Sequence, residues 1–214
     1  MLKTHQTKLN LKLTETKYGK FLIPVDDPTI GRSLDLYGEY CDVEIEILKS
    51  LCESTDWFVD IGANIGYHTV AMSPHVTRVL AFEPDNDNFD ILGKNVAGLC
   101  AEKQNVTTTK LAIGDITGEC STKFNFGKTT LIEGNDVKIA PLDVLGLPKV
   151  NLVKIDVEGK ELAVLVGMRL TIDNWKPHML IEMQDEKTYA DTYDFLNDLG
   201  YNMSVSYTHL TLPT

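Results

Sequence analysis

The sequence predicts an α/β protein built on a doubly wound, mainly parallel sheet, with an N-terminal β-hairpin and helix ahead of it. Three observations lead there. Short apolar runs near positions 58, 80, 110, 154 and 180 are separated mainly by segments of helical periodicity. Glycines at 62 and 66 break the chain just after the first of these runs. Acidic residues stand at the ends of several runs, and sheets of this kind bind ligands beyond the carboxyl ends of their strands.

Taken in order, Leu9, Leu11 and Leu13 alternate, Tyr18-Gly19-Lys20 turns, and Phe21, Ile23 and Val25 alternate again. This predicts a hairpin ending at Pro24–Pro28. Val43, Ile47, Leu48 and Leu51 recur at helical spacing, which predicts an amphipathic helix over 40–52. Phe58–Ile61 reads as the first sheet strand, followed by a helix through Ser73, and Arg78–Phe82 as the second. Asp85 is placed to cap a helix carrying Phe89, Leu92, Val96 and Leu99 on one face. Val106–Ile113 reads as the third strand, and residues 117–140, rich in Gly and Thr, as an insertion of short strands or loops. Leu152–Val157 is the fourth strand, with Leu162, Leu165 and Val166 inward on the next helix. His178–Met183 is the fifth, and Tyr189, Tyr193 and Leu196 mark a final helix closed by Gly200. The expected division is a hairpin extension over 1–38, one domain over 39–207, and an irregular or foreign tail over 208–214.

The chain has 214 residues, 43% hydrophobic and 24% charged, which suits one globular domain with its own core. Lys and Arg number 20 against 31 Asp and Glu, a formal charge of −11. That field repels phosphate backbones and anionic lipid, so neither nucleic acid nor membrane is expected as a partner. No apolar run reaches the roughly 20 residues that span a bilayer, and Met1–Lys8 is polar, unlike a signal peptide. The cysteines at 41, 52, 100 and 120 form no C-x-x-C pair, which suits reduced thiols and a cytoplasmic setting. Oligomeric state is not legible.

The chemistry gathers at the strand ends. In Asp60-Ile61-Gly62-Ala63-Asn64-Ile65-Gly66 the glycines permit a tight turn and a close ligand approach to the next helix. An acid at position 60 suits a cationic group, such as an ammonium, and opposes a pyrophosphate. Glu83 follows Gly62 by twenty-one residues, about where a nucleoside ribose is caught by an acid. Leu111-Ala112-Ile113-Gly114 offers a small apolar flank for a base, with Ala112 central. Asp156 and Glu158 share one side if strand geometry persists, and Glu182 adds a third carboxylate; Glu161 follows. These three acids are the catalytic candidates, tuned as a general base or holding a divalent cation. His68 and His75 read as solvent-facing or as helix packing, and His178 as a weaker candidate still.

Phe58–Thr69, Ala81-Phe82-Glu83-Pro84, Leu142-Asp143 and Val153–Glu161 resemble the FkbM-type methyltransferases, and Pro177–Glu182 and Gly200-Tyr201 resemble that family's later landmarks. The likeness runs from about Leu36 to Tyr201, and Lys154-Ile155-Asp156-Val157-Glu158-Gly159 is its most specific part. It implies a Rossmann-like class I methyltransferase fold, S-adenosylmethionine as cofactor, and a small-molecule hydroxyl acceptor of the sugar or natural-product kind. It also implies cofactor contacts at Asp60, Gly62, Asn64, Gly66 and Glu83, and acceptor contacts at Asp156 and Glu158. Such sheets finish with two further strands, the last antiparallel. Here only Tyr201–Tyr207 remains for the sixth, and Thr208–Thr214 looks unlike an edge strand. Two rival readings use the same fold: an NAD-dependent oxidoreductase, opposed by the G-x-x-x-G spacing, and a non-catalytic binding domain, opposed by the intact acids.

Overall fold

A computed structural model describes residues 9–125, 128–183 and 186–204. It opens with the hairpin β1 (Leu11–Thr16) and β2 (Gly19–Pro24), paired antiparallel from Leu11↔Pro24 to Thr16↔Gly19. The buried side is carried by Phe21 and Ile23, whereas Leu13 faces outward. A short helix follows that the periodicity did not predict, α1 (Ile30–Tyr37). It starts where the buried Asp27 carboxylate accepts the N–H groups of Thr29 and Gly31, satisfying donors that a helix start leaves open. α2 (Asp42–Leu51) matches the expected helix but buries Ile45 and Leu48, leaving Val43 and Leu51 exposed.

The main sheet contains β3 (Trp57–Ile61), β4 (Arg78–Phe82), β5 (Val106–Thr109), β9 (Leu152–Ile155) and β10 (His178–Ile181). Its order is β10-β9-β3-β4-β5, and every pairing is parallel. The chain winds one way from β3 through β5 and the other way through β9 to β10, so the topological switch lies between β3 and β9. α3 (Tyr67–Met72) and α4 (Asn86–Leu99) connect the first three strands, α5 (Glu161–Gly167) and α6 (Arg169–Trp175) connect β9 to β10, and α7 (Glu186–Asp198) follows. Alternation along β3 and β9 feeds two cores. Phe58 and Leu152 join Ile45, Leu48, Ile65, Met72 and the hairpin's Phe21 and Ile23 on one face. Val59, Ile61, Val153 and Ile155 join Val164, Leu165, Ile172 and Leu196 on the other. Val166, Tyr189 and Tyr193, read as inward or core-marking, are partly exposed; the two tyrosines stack on each other instead.

The third predicted strand divides. β5 ends at Thr109, and Ala112–Ile113 becomes β6, which pairs parallel to β8 (Lys128–Ala140) in a separate three-stranded sheet with β7 (Gly118–Asn125). Within 117–140, β7 and β8 therefore pair antiparallel, with a bulge at Cys120/Ser121. The final helix closes as expected. Gly200, at φ +78°, lets its own N–H reach Asn197 O and the Tyr201 N–H reach Leu196 O, the Schellman pattern. Residues 201–204 form no strand, and the 208–214 tail lies outside the described residues. Among the described residues no helix is long and apolar enough to cross a membrane.

Asn95 joins the hairpin to the sheet. Its buried amide accepts the Leu22 N–H and donates to Leu22 O and Ile65 O. Asn95→Ala strands these groups without partners, and a loss of about 2–3 kcal/mol is expected in urea unfolding. A change under ~0.5 kcal/mol, the scale of neutral surface substitutions, would show that the tie is idle.

Candidate active site

The turn after β3 is held from two sides. Gly62 and Ala63 N–H groups both donate to Phe82 O at the end of β4, and Asp156 N–H donates to Ile61 O. Gly62 has φ +83°, and a Cβ there would stand 1.8 Å from Asp156 O. Only glycine lets the turn and the end of β9 come this close. Gly66 abuts the Leu92 side chain, seating α3 against α4.

Two hollows adjoin this turn and share Gly62, Asn64 and Asp156. The first is an open cleft with about 530 Å³ of empty space, part of it open to solvent. Glu83, Pro84, Leu111, Ala112 and Glu158 line it, and Thr129 and Leu131 of β8 wall its outer side. The β7–β8 hairpin is anchored there by Thr122 Oγ1 donating to Asp85 Oδ2 and Asn88 Nδ2 donating to Thr129 Oγ1. Asp85 also caps α4, accepting the N–H groups of Asp87 and Asn88. Glu83 is buried. Its Oε2 accepts the Asn64 N–H and its Oε1 the Asp85 N–H. Burial raises its carboxyl to about 7, against the pull of those two backbone donors.

Tyr40, Ala63, Tyr67, His68, Lys154 and Asp156 line the second hollow. Asp60 lines neither hollow. It is fully buried, its Oδ2 accepting from Thr69 Oγ1 at 2.6 Å and its Oδ1 having no hydrogen-bond partner, with Lys154 Nζ 3.9 Å away. Asp156 Oδ2 accepts from Lys154 Nζ at 3.1 Å. Burial pulls the Lys154 ammonium down, but the carboxylates of Asp156 and Asp60 outweigh it and hold its pKa above the ordinary range. Glu182 keeps surface exposure, yet partial burial and the like charges of Asp156 and Glu44 raise its carboxyl to about 7.

The strand geometry on which Asp156 and Glu158 would share one side does not persist, although both line the first cleft. β9 ends at Ile155, and Glu158 at φ +53° and Gly159 at φ +89° turn the chain, so period-two alternation has already ceased. Glu161 is buried, with Oε1 accepting the Gly159 N–H and closing that turn. Sequence reading missed two participants. Lys154 sits within the apolar run of β9 and gave no charge-pair signal. Glu44, on α2, brings Oε2 to 3.2 Å from Nε2 of the buried His68, without the alignment of a hydrogen bond. Among the described residues no three His, Cys, Asp or Glu side chains converge as a metal site. Of Asp156, Glu158 and Glu182, the acids expected to act as a base or to hold a divalent cation, Asp156 is paired with the Lys154 ammonium.

Fold and cleft together define a Rossmann-like domain of the class I methyltransferase type. A family model described as the methyltransferase FkbM domain matches residues 60–203, and the chain belongs to that family. It is 38% identical over 151 residues to the hexuronic acid methyltransferase AglP of Haloferax volcanii, covering 65% of this chain and 60% of that protein. The chain thus spans about 60% of the length of that curated relative. Its fold is similar to the methyltransferase FkbM of Methylobacillus flagellatus KT, with TM-score 0.56 and 22% identity over 69% of this chain and 38% of that one. It is also similar to a precorrin-6y C5,15-methyltransferase of Geobacter metallireducens GS-15, with TM-score 0.53 and 18% identity over 76% and 72% of the two chains. At these identities the two structures speak for the fold alone.

Proposed function

We propose that this domain binds S-adenosylmethionine in the first cleft and methylates an oxygen of a sugar or similar small molecule presented at the second hollow. The observation that carries the reading is Glu83, a buried carboxylate at the end of β4 fixed by two backbone donors and open to the cleft. Such a group fits a ribose hydroxyl pair, while Leu111, Ala112 and Ile113 beside it suit an adenine face. Asp60, two residues before Gly62, is held by Thr69 Oγ1 with Lys154 Nζ 3.9 Å away. Family membership supports methyl transfer, and the named activity of the Haloferax relative supports a sugar acceptor. When bound, the cofactor supplies an electrophilic methyl group on a sulfonium. The protein's tasks are to hold the acceptor oxygen in line with it and to take a hydroxyl proton away.

Calorimetry with S-adenosylhomocysteine and, separately, NAD tests the reading; binding of the first and not the second is expected. Glu83→Ala should weaken S-adenosylhomocysteine by about 1.5–3 kcal/mol. Because the ribose hydroxyls donate to an ionised carboxylate, affinity should rise as pH passes upward through about 7, where Glu83 of the free protein ionises. Glu83→Gln should lose that dependence. Equal affinities for wild type and Glu83→Ala would remove Glu83 from the ribose.

A further inference from the structure

Lys154 has no assigned role, yet it is the one ammonium that the described residues place between the two strand ends of the site. It stands directly across from Asp60 in the β3–β9 register and 3% exposed. Its Nζ donates to Asp156 Oδ2 at 3.1 Å and lies 3.9 Å from Asp60 Oδ1, a buried oxygen without a hydrogen-bond partner. We propose that Lys154 is a positioning residue: an internal counter-ion that offsets the charges of Asp60 and Asp156 and aims the Asp156 carboxylate into the second hollow. It acts through Asp156 and not on the reacting atoms.

The alternatives to this role are poor. A buried lysine without partners sheds its proton, and a fully buried carboxylate such as Asp60, beside the partly exposed Asp156, is costly to keep charged without a cation. The other groups near the ammonium are Glu44 on α2, paired with His68 of α3, Tyr40 and Cys41 ahead of α2, and Glu182 after β10. None of these is a fixed cation. Removing Lys154 therefore leaves Asp60 buried beside a like charge with no cation to offset it.

The test needs no ligand and so stands apart from the cofactor reading, on which only the catalytic consequence of this role rests. Thermal unfolding of the full chain is followed from pH 5.5 to 8.5 for wild type, Lys154→Met and Lys154→Met/Asp60→Asn, the second substitution neutralising the fully buried acid. In Lys154→Met, with no cation beside the acids, the folded state is expected to favour the un-ionised pair more than the unfolded state does. The stability it allows is present at low pH and lost as pH rises through the folded pKa. The melting temperature should therefore fall further below wild type with rising pH, reaching a deficit of roughly 6–15 °C at the alkaline end. Glu83 titrates in all three proteins and cancels, and Glu182 loses the lowering charge of Lys154 in both variants alike, so it cancels between the single and the double variant. The double variant, with one acid neutralised, should recover most of the alkaline deficit. A deficit that is the same at every pH overturns the proposal, as does a double variant no more stable than the single one. If Lys154→Met does not fold at all, recovery of a folded chain in the double variant supports it, and failure of both overturns it.

Discussion

Asp156→Asn is expected to slow methyl transfer by roughly 10²–10⁴, the contribution of a well-placed proton acceptor, while S-adenosylhomocysteine affinity stays close to wild type. Among the described residues Asp156 is the carboxylate that lines both hollows, and its orientation is set by Lys154. Asparagine keeps the shape and loses the charge, so fold and cleft persist. The measurement is labelled-methyl transfer from S-adenosylmethionine to neutral and hexuronic acid glycosides across pH. The same substitution removes the leading like charge that raises Glu182, so the Glu182 titration should shift down from about 7 toward the ordinary range. An unchanged rate on a hydroxyl acceptor would take Asp156 out of the reaction. An unchanged rate on a hexuronic acid alone would point to its carboxylate as the methylated oxygen, since that oxygen is already ionised.

Gly62→Ala is expected to destabilise the domain by about 3–5 kcal/mol, combining left-handed backbone strain with overpacking. The neighbour at 1.8 Å is the Asp156 carbonyl, main chain that cannot rotate aside as a side chain would. Relief requires β3 and β9 to part at their carboxyl ends, which also spreads Asp60, Lys154 and Asp156. Thermal unfolding and S-adenosylhomocysteine binding should both suffer. Gly93→Ala on α4 is the control: nothing lies within 4 Å of its added Cβ, and alanine in a helix interior gains about 0.5–1 kcal/mol over glycine. If both variants melt alike, the close approach at Gly62 is not structural.

What the sequence made legible is local. Arg78–Phe82 is a strand at the predicted bounds, Asp85 caps the predicted helix, and the loop from Gly62 to Gly66 lies where the glycines placed it. Each depends on neighbours within a few residues. The misreadings come from information that lies elsewhere in the chain. The break between β5 and β6 is decided by β8, whose Ile139 and Ala140 take Ala112 and Ile113 as partners. The inward face of α2 is decided by what packs on it, which selects Ile45 over Val43. At the site, Glu83 and Asp156 were readable from their strand ends. The Glu44–His68 and Lys154–Asp60 pairs were not, because each joins elements whose adjacency only the folded sheet creates.

The position of Lys154 also bears on how the domain assembles. β3, β4 and β5 follow one another closely along the chain, whereas the link from Trp57 N–H to Asn151 Oδ1 spans 94 residues. The half-sheet made first during synthesis therefore contains Asp60 but not its counter-charge. Drying its surface around an unpaired carboxylate is uphill, and closing so long a loop costs entropy before contacts repay it. The middle of the sheet is thus completed only when β9 docks with its ammonium. That couples the two halves of the domain into one cooperative step, instead of leaving a finished half waiting for the other.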